Sequence, residues 1–302
     1  MLASTGTPGS DTPIRNTGVS DDFPDNSYAY SLDYFRYTVD FTLQLCDVLP
    51  PVPAFDRSER ELIPLPWYTN SVALECGRID YNMLKPEMKK LVTLYGQDLE
   101  RARGMGVDER TLVSFAQRLP GFHCTRVDLT CDVKGGDYCD PHQILQAFIA
   151  GACKTKARTA NRVDNWQPGS RGGCTIYIGS RDSLTFLRVY DKAAQLGGDT
   201  PVWTRIEVEC KGDVANNVCA ALAAHGVIEV TKEAIRRYIR TGVQWFDDAA
   251  HSDTPGTLIA PGEHRQGDFE VWINTACLPA IARAVRERIP GVREALAHIL
   301  NS

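Results

Sequence analysis

Three stretches of the chain alternate strictly between apolar and polar residues, and that period of two predicts strands with one core face and one polar face. In Thr125 to Val133, TRVDLTCDV, the residues Val127, Leu129, Cys131 and Val133 share one side, against Arg126, Asp128, Thr130 and Asp132 on the other. In Val202 to Lys211, VWTRIEVECK, Thr204, Ile206, Val208 and Cys210 oppose Arg205, Glu207 and Glu209. Between them, Cys174 to Lys192 holds two alternating runs, TIYI and TFLRVY, around Gly179-Ser180-Arg181-Asp182-Ser183. Gly, Asp and Ser are turn formers, so this stretch reads as a β-hairpin. Its second strand puts Leu187 and Val189 on the core side and Phe186, Arg188 and Tyr190 on the other.

The remaining pattern is coarser. Residues 1–27 are rich in Ser, Thr, Gly, Pro and Asp without apolar periodicity, which predicts a disordered tail. Tyr30 to Leu45 alternates aromatic and polar positions and reads as a strand; a proline-rich loop follows, then candidate strands at Ser71 to Tyr81 and Val92 to Tyr95. Short helices are expected at Leu99 to Arg103 and Asp108 to Arg118. Another is expected from Asp140-Pro141, a cap residue followed by a first-turn proline, to Ala152. Lys154 to Gly173 shows no period and reads as a basic loop with one aromatic, Trp166. Val214 to His225 is an alanine-rich helix with Gly226 as its stop, and Thr231 to Arg240 opens on a Thr-x-Glu cap pattern. A short strand at Phe269 to Ile273 and two helices, Ala276 to Arg288 and Val292 to Leu300, complete the expectation. The result is an α+β fold: an antiparallel sheet with helices packed on one face and the other face open. Residues 28–302 are read as one domain, with a helical C-terminal part at 214–302.

If the three alternating strands lie in one sheet, up to four carboxylates and Tyr190 share its polar side. Like-charged carboxylates held together call for a cation, and oxygen ligands suit Mg²⁺ or Mn²⁺. Arg188, two residues from Tyr190, is expected to favour the ionised phenol and to hold a phosphate. A divalent ion over a tyrosine flanked by arginines fits phosphoryl transfer to that tyrosine. Tyr177, on the hairpin's other strand, is a rival nucleophile.

The order RVDLTCDV, TIYIGSRDSLTFLRVYDK, WTRIEVE resembles the Rep_trans family of rolling-circle replication initiators, which serve plasmids and filamentous phages and include some relaxases of conjugative elements. The resemblance covers Cys124 to Lys211, and LDYFRYTVDF at Leu32 to Phe41 is similar to the strand that opens the family's domain. It implies an origin-specific nicking and strand-transfer enzyme whose tyrosine, in a Y-(D/E)-K motif, becomes linked to the 5′ phosphate and frees a 3′ hydroxyl. Here that motif is Tyr190-Asp191-Lys192. Asp128 and Glu207 are the implied metal ligands, with Asp132 and Glu209 as further candidates. Arg188 or Arg126 would stabilise the phosphate and Lys192 would assist the leaving oxygen. The family also implies origin DNA, a homodimer, and a host helicase and polymerase as partners. No His-hydrophobic-His pair stands near these strands, so the histidine-ligated type of nicking enzyme is not indicated. A relaxase using the same chemistry, a metal-dependent nuclease without a covalent link, and a non-catalytic DNA-binding regulator remain alternatives.

Charge sharpens this picture. The 302 residues carry a formal net charge of -5, unfavourable for indiscriminate DNA coating, which relies on Lys and Arg. Yet Gly151 to Gln195 holds eight basic residues against three acidic ones. Lys154, Lys156, Arg158 and Arg162 with Arg171 and Arg181 are therefore candidate DNA contacts, and Trp166 a candidate for stacking on an unpaired base. Arg126 and Arg205 on the strands, and Arg236, Arg237 and Arg240 as a second phosphate-contacting surface, extend the set. The ten cysteines form no CxxC and read as buried thiols. No apolar run is long enough to cross a membrane and the N-terminus lacks a signal pattern, so a cytoplasmic location without membrane contact is expected.

Overall fold

The computed structural model describes residues 27–44, 47–50, 60–74, 77–135, 139–165, 172–196, 203–254 and 257–260. Their strands are β1 (Ser27–Val39), β2 (Arg60–Glu61), β3 (Asn70–Leu74), β4 (Gly77–Tyr81), β5 (Lys90–Tyr95), β6 (His123–Lys134), β7 (Lys154–Thr155), β8 (Ala160–Asn165), β9 (Gly173–Ile178), β10 (Thr185–Asp191), β11 (Trp203–Lys211) and β12 (Ile239–Arg240). The helices are α1 (Gly96–Gly104), α2 (Glu109–Gln117), α3 (Pro141–Ile149), α4 (Lys192–Gln195), α5 (Gly212–His225), α6 (Val227–Tyr238) and α7 (Gln244–Ala249). Ten strands form one sheet in the order β2-β3-β4-β5-β1-β6-β11-β10-β9-β8, while β7 and β12 make a separate two-stranded ribbon. Neighbours in the large sheet are antiparallel throughout.

The centre of the sheet follows from the alternation. Val127, Leu129, Cys131 and Val133 of β6 and Ile206 and Val208 of β11 are wholly buried. Full burial stabilises each such aliphatic side chain by about 1.5–3 kcal/mol. The helices cover this apolar face. The amide of Cys124 donates to Asn216 Oδ1 of α5 at 3.2 Å, Tyr30 donates its hydroxyl to the Ala249 carbonyl of α7 at 2.9 Å, and Lys232 of α6 lies over the Tyr30 ring. Trp245 of α7 then reaches Gln143 of α3 at 2.8 Å, linking the helices into one layer. The α+β architecture with helices on one face of an antiparallel sheet is therefore as the sequence predicts.

Several local expectations change. Ser71 to Tyr81 is two strands, β3 and β4, paired back to back. The stretch read as an aperiodic loop contains β8, an edge strand of polar sequence, ANRVDN, laddered to β9. An edge strand is paired on one side only and needs no apolar run. Helix α6 begins at Val227, directly after Gly226 with φ 81°, so Thr231 is no cap but a buried interior residue, and Arg240 has left the helix for β12. Residues 1–26 of the expected tail, Trp166, Arg171 and everything expected beyond residue 260 lie outside the described residues, while Ser27 already belongs to β1.

Candidate active site

On the polar face, register brings the acidic strands together. Glu209 stands opposite Asp128 and Glu207 opposite Thr130 across β11 and β6, while Arg188 of β10 stands opposite Glu207 and Tyr190 opposite Arg205. The cross-strand pairs share a side, so two neighbouring strands supply the carboxylates and a third supplies the tyrosine.

These acids lie beneath a layer of cations. Arg126 forks onto Asp128 at 2.8 and 2.5 Å and reaches Glu209 at 2.8 Å; Lys211 reaches Glu209 at 2.7 Å. Arg188 bonds Glu207 closely and stands 3.6 Å from Asp128. The Asp128 and Glu207 side chains are 3% and 4% exposed, whereas those of Arg126 and Arg188 are 23% and 26% exposed. Arg126 also rests on the Tyr34 ring, 4.4 Å from its centroid.

Tyr190 projects into this net. Its hydroxyl donates to Glu207 Oε2 at 3.4 Å. The sequence after it fixes the backbone: Asp191 caps α4 by accepting the Ala194 amide at 2.9 Å, and Lys192, bonded to Gln195, places its ammonium 5.9 Å from the Tyr190 ring centroid. The hairpin turn is held as firmly. Gly179 has φ 90°, and a Cβ there would meet the Tyr238 hydroxyl, which donates to the Ile178 carbonyl.

Burial governs the protonation states. The Glu207 carboxyl is pushed up to about 7, first by loss of water and then by the charge and hydrogen bonding of Asp128, with Arg188 opposing. Asp128 is raised in the same direction by burial, against the pull of Arg126. The Tyr190 phenol is raised as well, by burial and then by Glu207. Arg188 does pull the phenol toward its ionised form, as expected, but desolvation and the neighbouring acid outweigh it. Lys192 is lowered, chiefly by burial and next by Arg205.

Asp128 and Glu207 supply carboxylate oxygens of the kind a hard divalent ion takes, and both face Arg188, which bonds Glu207 closely and stands 3.6 Å from Asp128. Among the described residues no group of three or more acids, histidines or cysteines is arranged to hold a metal; guanidinium groups bridge the carboxylates. An ion held by Asp128 and Glu207 would have to displace the short Arg188 contact.

Other candidates are placed elsewhere. Asp132 is forked by Arg205 at 2.6 and 2.8 Å, and Arg205 also reaches Asp33 at 3.0 Å, so this pair is engaged internally and Arg205 is not turned to a DNA backbone. Arg162 is opposite Ile176 in the ladder, on the helix-covered side, and pairs with Asp164 at 2.8 Å. Lys154, Lys156 and Arg158 are exposed, with Lys154 facing Arg240 across the β7–β12 ribbon. Arg236 is bound to Glu233 and Arg237 to the Ile259 carbonyl. Arg181 is exposed on the hairpin turn.

Asp33 is the site residue that the alternation did not reveal. A bulge between Leu32 and Tyr34 shifts the register of β1 against β6. Asp33 thereby meets Arg205, and its charge is felt by Tyr190, Lys192 and Glu207. Gly96 leaves it room, since a Cβ there would come within 2.8 Å of Asp33 Oδ1. The signal was readable: inward Leu32 and Phe35 are three apart where period two allows two or four.

Residues 122–255 match the family model described as replication initiation factor. A protein described as a DNA relaxase, NicK, from Bacillus subtilis (strain 168), is 22% identical over 241 residues, covering 71% of this chain and 68% of that protein. The solved structure of a rolling circle replication initiator protein from Geobacillus stearothermophilus superposes with a TM-score of 0.61 at 20% identity, over 78% of this chain and 93% of the other, which shows a shared fold. The segment that matches this replication initiation factor model, Rep_trans, contains β6, the tyrosine hairpin and β11.

Proposed function

We propose that this protein nicks one strand of an origin DNA through Tyr190 and so starts rolling-circle replication. The observation that supports this most is the Tyr190 hydroxyl 3.4 Å from Glu207, whose carboxyl titrates at about 7 beside Asp128. Glu207 accepts the phenolic proton, since Glu209 faces Arg126 and Lys211 and Asp132 faces Arg205. The Tyr190 oxygen attacks phosphorus, the bond to the 3′ oxygen breaks, and a 5′ phosphotyrosine and a free 3′ hydroxyl result. Arg188, at the surface of the net, meets the charge that develops on the phosphate. Lys192, with its lowered pKa, is suited to give the leaving oxygen a proton. Asp128 and Glu207 would hold Mg²⁺ or Mn²⁺, which when bound supplies a Lewis acid for the scissile phosphate. Because a phosphodiester is exchanged for a phosphotyrosine, the strand can be rejoined without nucleotide hydrolysis. The reading carries with it a dimer in solution and a host helicase and polymerase that take over the exposed 3′ end.

The similarity to a DNA relaxase favours a second reading, the same chemistry at a transfer origin. Supercoiled plasmids bearing either kind of origin from the protein's own source would separate the two by which is nicked. For the chemistry itself, purified protein with Mn²⁺ and supercoiled origin DNA should yield a protein-linked open circle. The Tyr190→Phe variant should bind the DNA and give no linked product; a linked product from that variant would end the assignment.

A further inference from the structure

Beside the ion-pair net, on the same side of the sheet as Tyr190, β9 and β10 present two aromatic rings. Tyr177 and Phe186 lie 5.7 Å apart between centroids and within 13° of parallel. The guanidinium of Arg181, from the turn that joins the two strands, lies over both, 5.2 Å from the Tyr177 centroid and 5.9 Å from that of Phe186. Phe186 is 3% exposed beneath this cover, while Tyr177 is half-buried and Arg181 is exposed. Tyr177 stands directly opposite Arg188 in the ladder. It is therefore one strand spacing, about 4.8 Å, from the arginine that grips Glu207.

The cations of this face differ in their partners. Arg126, Arg188, Arg205 and Lys211 all rest on carboxylates. Arg181 rests on rings, and among the described residues it has no carboxylate partner. A planar cation over a half-exposed phenol ring, next to a nucleophile for a phosphodiester, has the composition of a surface on which nucleobases stack.

We infer that Tyr177 and Arg181 form a stacking subsite for one unpaired base of the DNA strand that Tyr190 attacks, which rests on the reading of Tyr190 above. The subsite uses the π-face that every base shares and reads no sequence. It also gives Tyr177 a part played by its ring, so the hydroxyl that made it a rival nucleophile is dispensable.

The test compares a fluorescein-labelled 12-nucleotide oligothymidylate with an abasic oligomer of the same length, by anisotropy at fixed salt. Wild type should bind the thymidylate about tenfold more tightly than the abasic strand, within the range set by stacking of a base on an aromatic side chain. Tyr177→Phe should keep that preference. Tyr177→Leu should lose it while binding the abasic strand unchanged, and Arg181→Ala, altered at an exposed turn, should weaken it. Equal binding of both oligomers by wild type would overturn the subsite, as would an undiminished preference in a folded Tyr177→Leu. Should Tyr177→Leu fail to fold, the wild-type comparison and Arg181→Ala decide the matter. The covalent-adduct assay on the same preparations keeps the two ideas apart: an adduct without base preference removes the subsite alone, and base preference without an adduct removes the nucleophile alone.

Discussion

Arg78-x-Asp80 on β4 and Arg126-x-Asp128 on β6 are the same device in two neighbourhoods. Each places an arginine two residues before an aspartate on one side of a strand, and each forms a forked ion pair, at 2.8 and 2.7 Å in the first and 2.8 and 2.5 Å in the second. In the first, Asp80 is wholly buried and also accepts the Leu65 amide at 3.1 Å, while its ladder partners are Ser71 and Leu91. That pair is closed. In the second, Asp128 shares its arginine with Glu209, meets Arg188 at 3.6 Å and lies beside Glu207. Function is written into what the register sets across from the pair, since the pair itself is common to a structural bridge and to a site with surplus acid.

The comparison breaks most visibly on activity. Asp128→Asn or Glu207→Gln should cut formation of the covalent open circle by at least about a hundredfold, the order expected when a group that stabilises transition-state charge or moves a proton is removed. Asp80→Asn should leave the linked product intact at low temperature. Stability should run the opposite way. Removing one partner of a buried pair costs about 3–5 kcal/mol, and Asp80→Ala should show it in urea unfolding. Asp128→Ala should cost less, because Arg126 keeps Glu209.

A smaller effect concerns pH. A carboxyl raised from 4.5 to about 7 keeps its proton longer in the folded than in the unfolded chain, so its contribution is full below pH 4.5 and is lost as pH climbs to about 7. Glu207→Gln should therefore gain stability relative to wild type between pH 4.5 and 8, by on the order of 3 kcal/mol at most. On the proposed assignment Mn²⁺ takes the same oxygens, so it should raise the wild-type melting temperature at pH 8 and not at pH 4.5. Equal effects at both values would place the ion elsewhere. Least of all, Asp164→Asn at the exposed Arg162 pair on β8 should leave the melting temperature unchanged within error.

Much of this was legible because strand alternation is a local property. TRVDLTCDV, TFLRVY and WTRIEVECK declare their two faces without reference to the rest of the chain, and the sheet assembles them as their periods require. What stayed hidden depends on partners. Strand β8 carries no apolar run since its ladder is one-sided, and the Thr-x-Glu of α6 imitates a cap while lying inside a helix that Gly226 starts earlier. The grouping of four acids was readable, yet their arginine cover was not, because Arg126, Arg188 and Arg205 looked like free phosphate contacts until the register gave each a carboxylate. The phenol's upward shift is likewise a property of assembled burial, invisible in any single strand.

Asp191 carries a consequence for the proposed linkage of DNA to Tyr190. By closing the first turn of α4 immediately behind Tyr190, it leaves that tyrosine with ladder bonds on one side and a helix on the other, and no slack between. A DNA end attached there would hang from an anchor that cannot swivel at its root, so the severed 5′ terminus would stay where the returning 3′ end must find it.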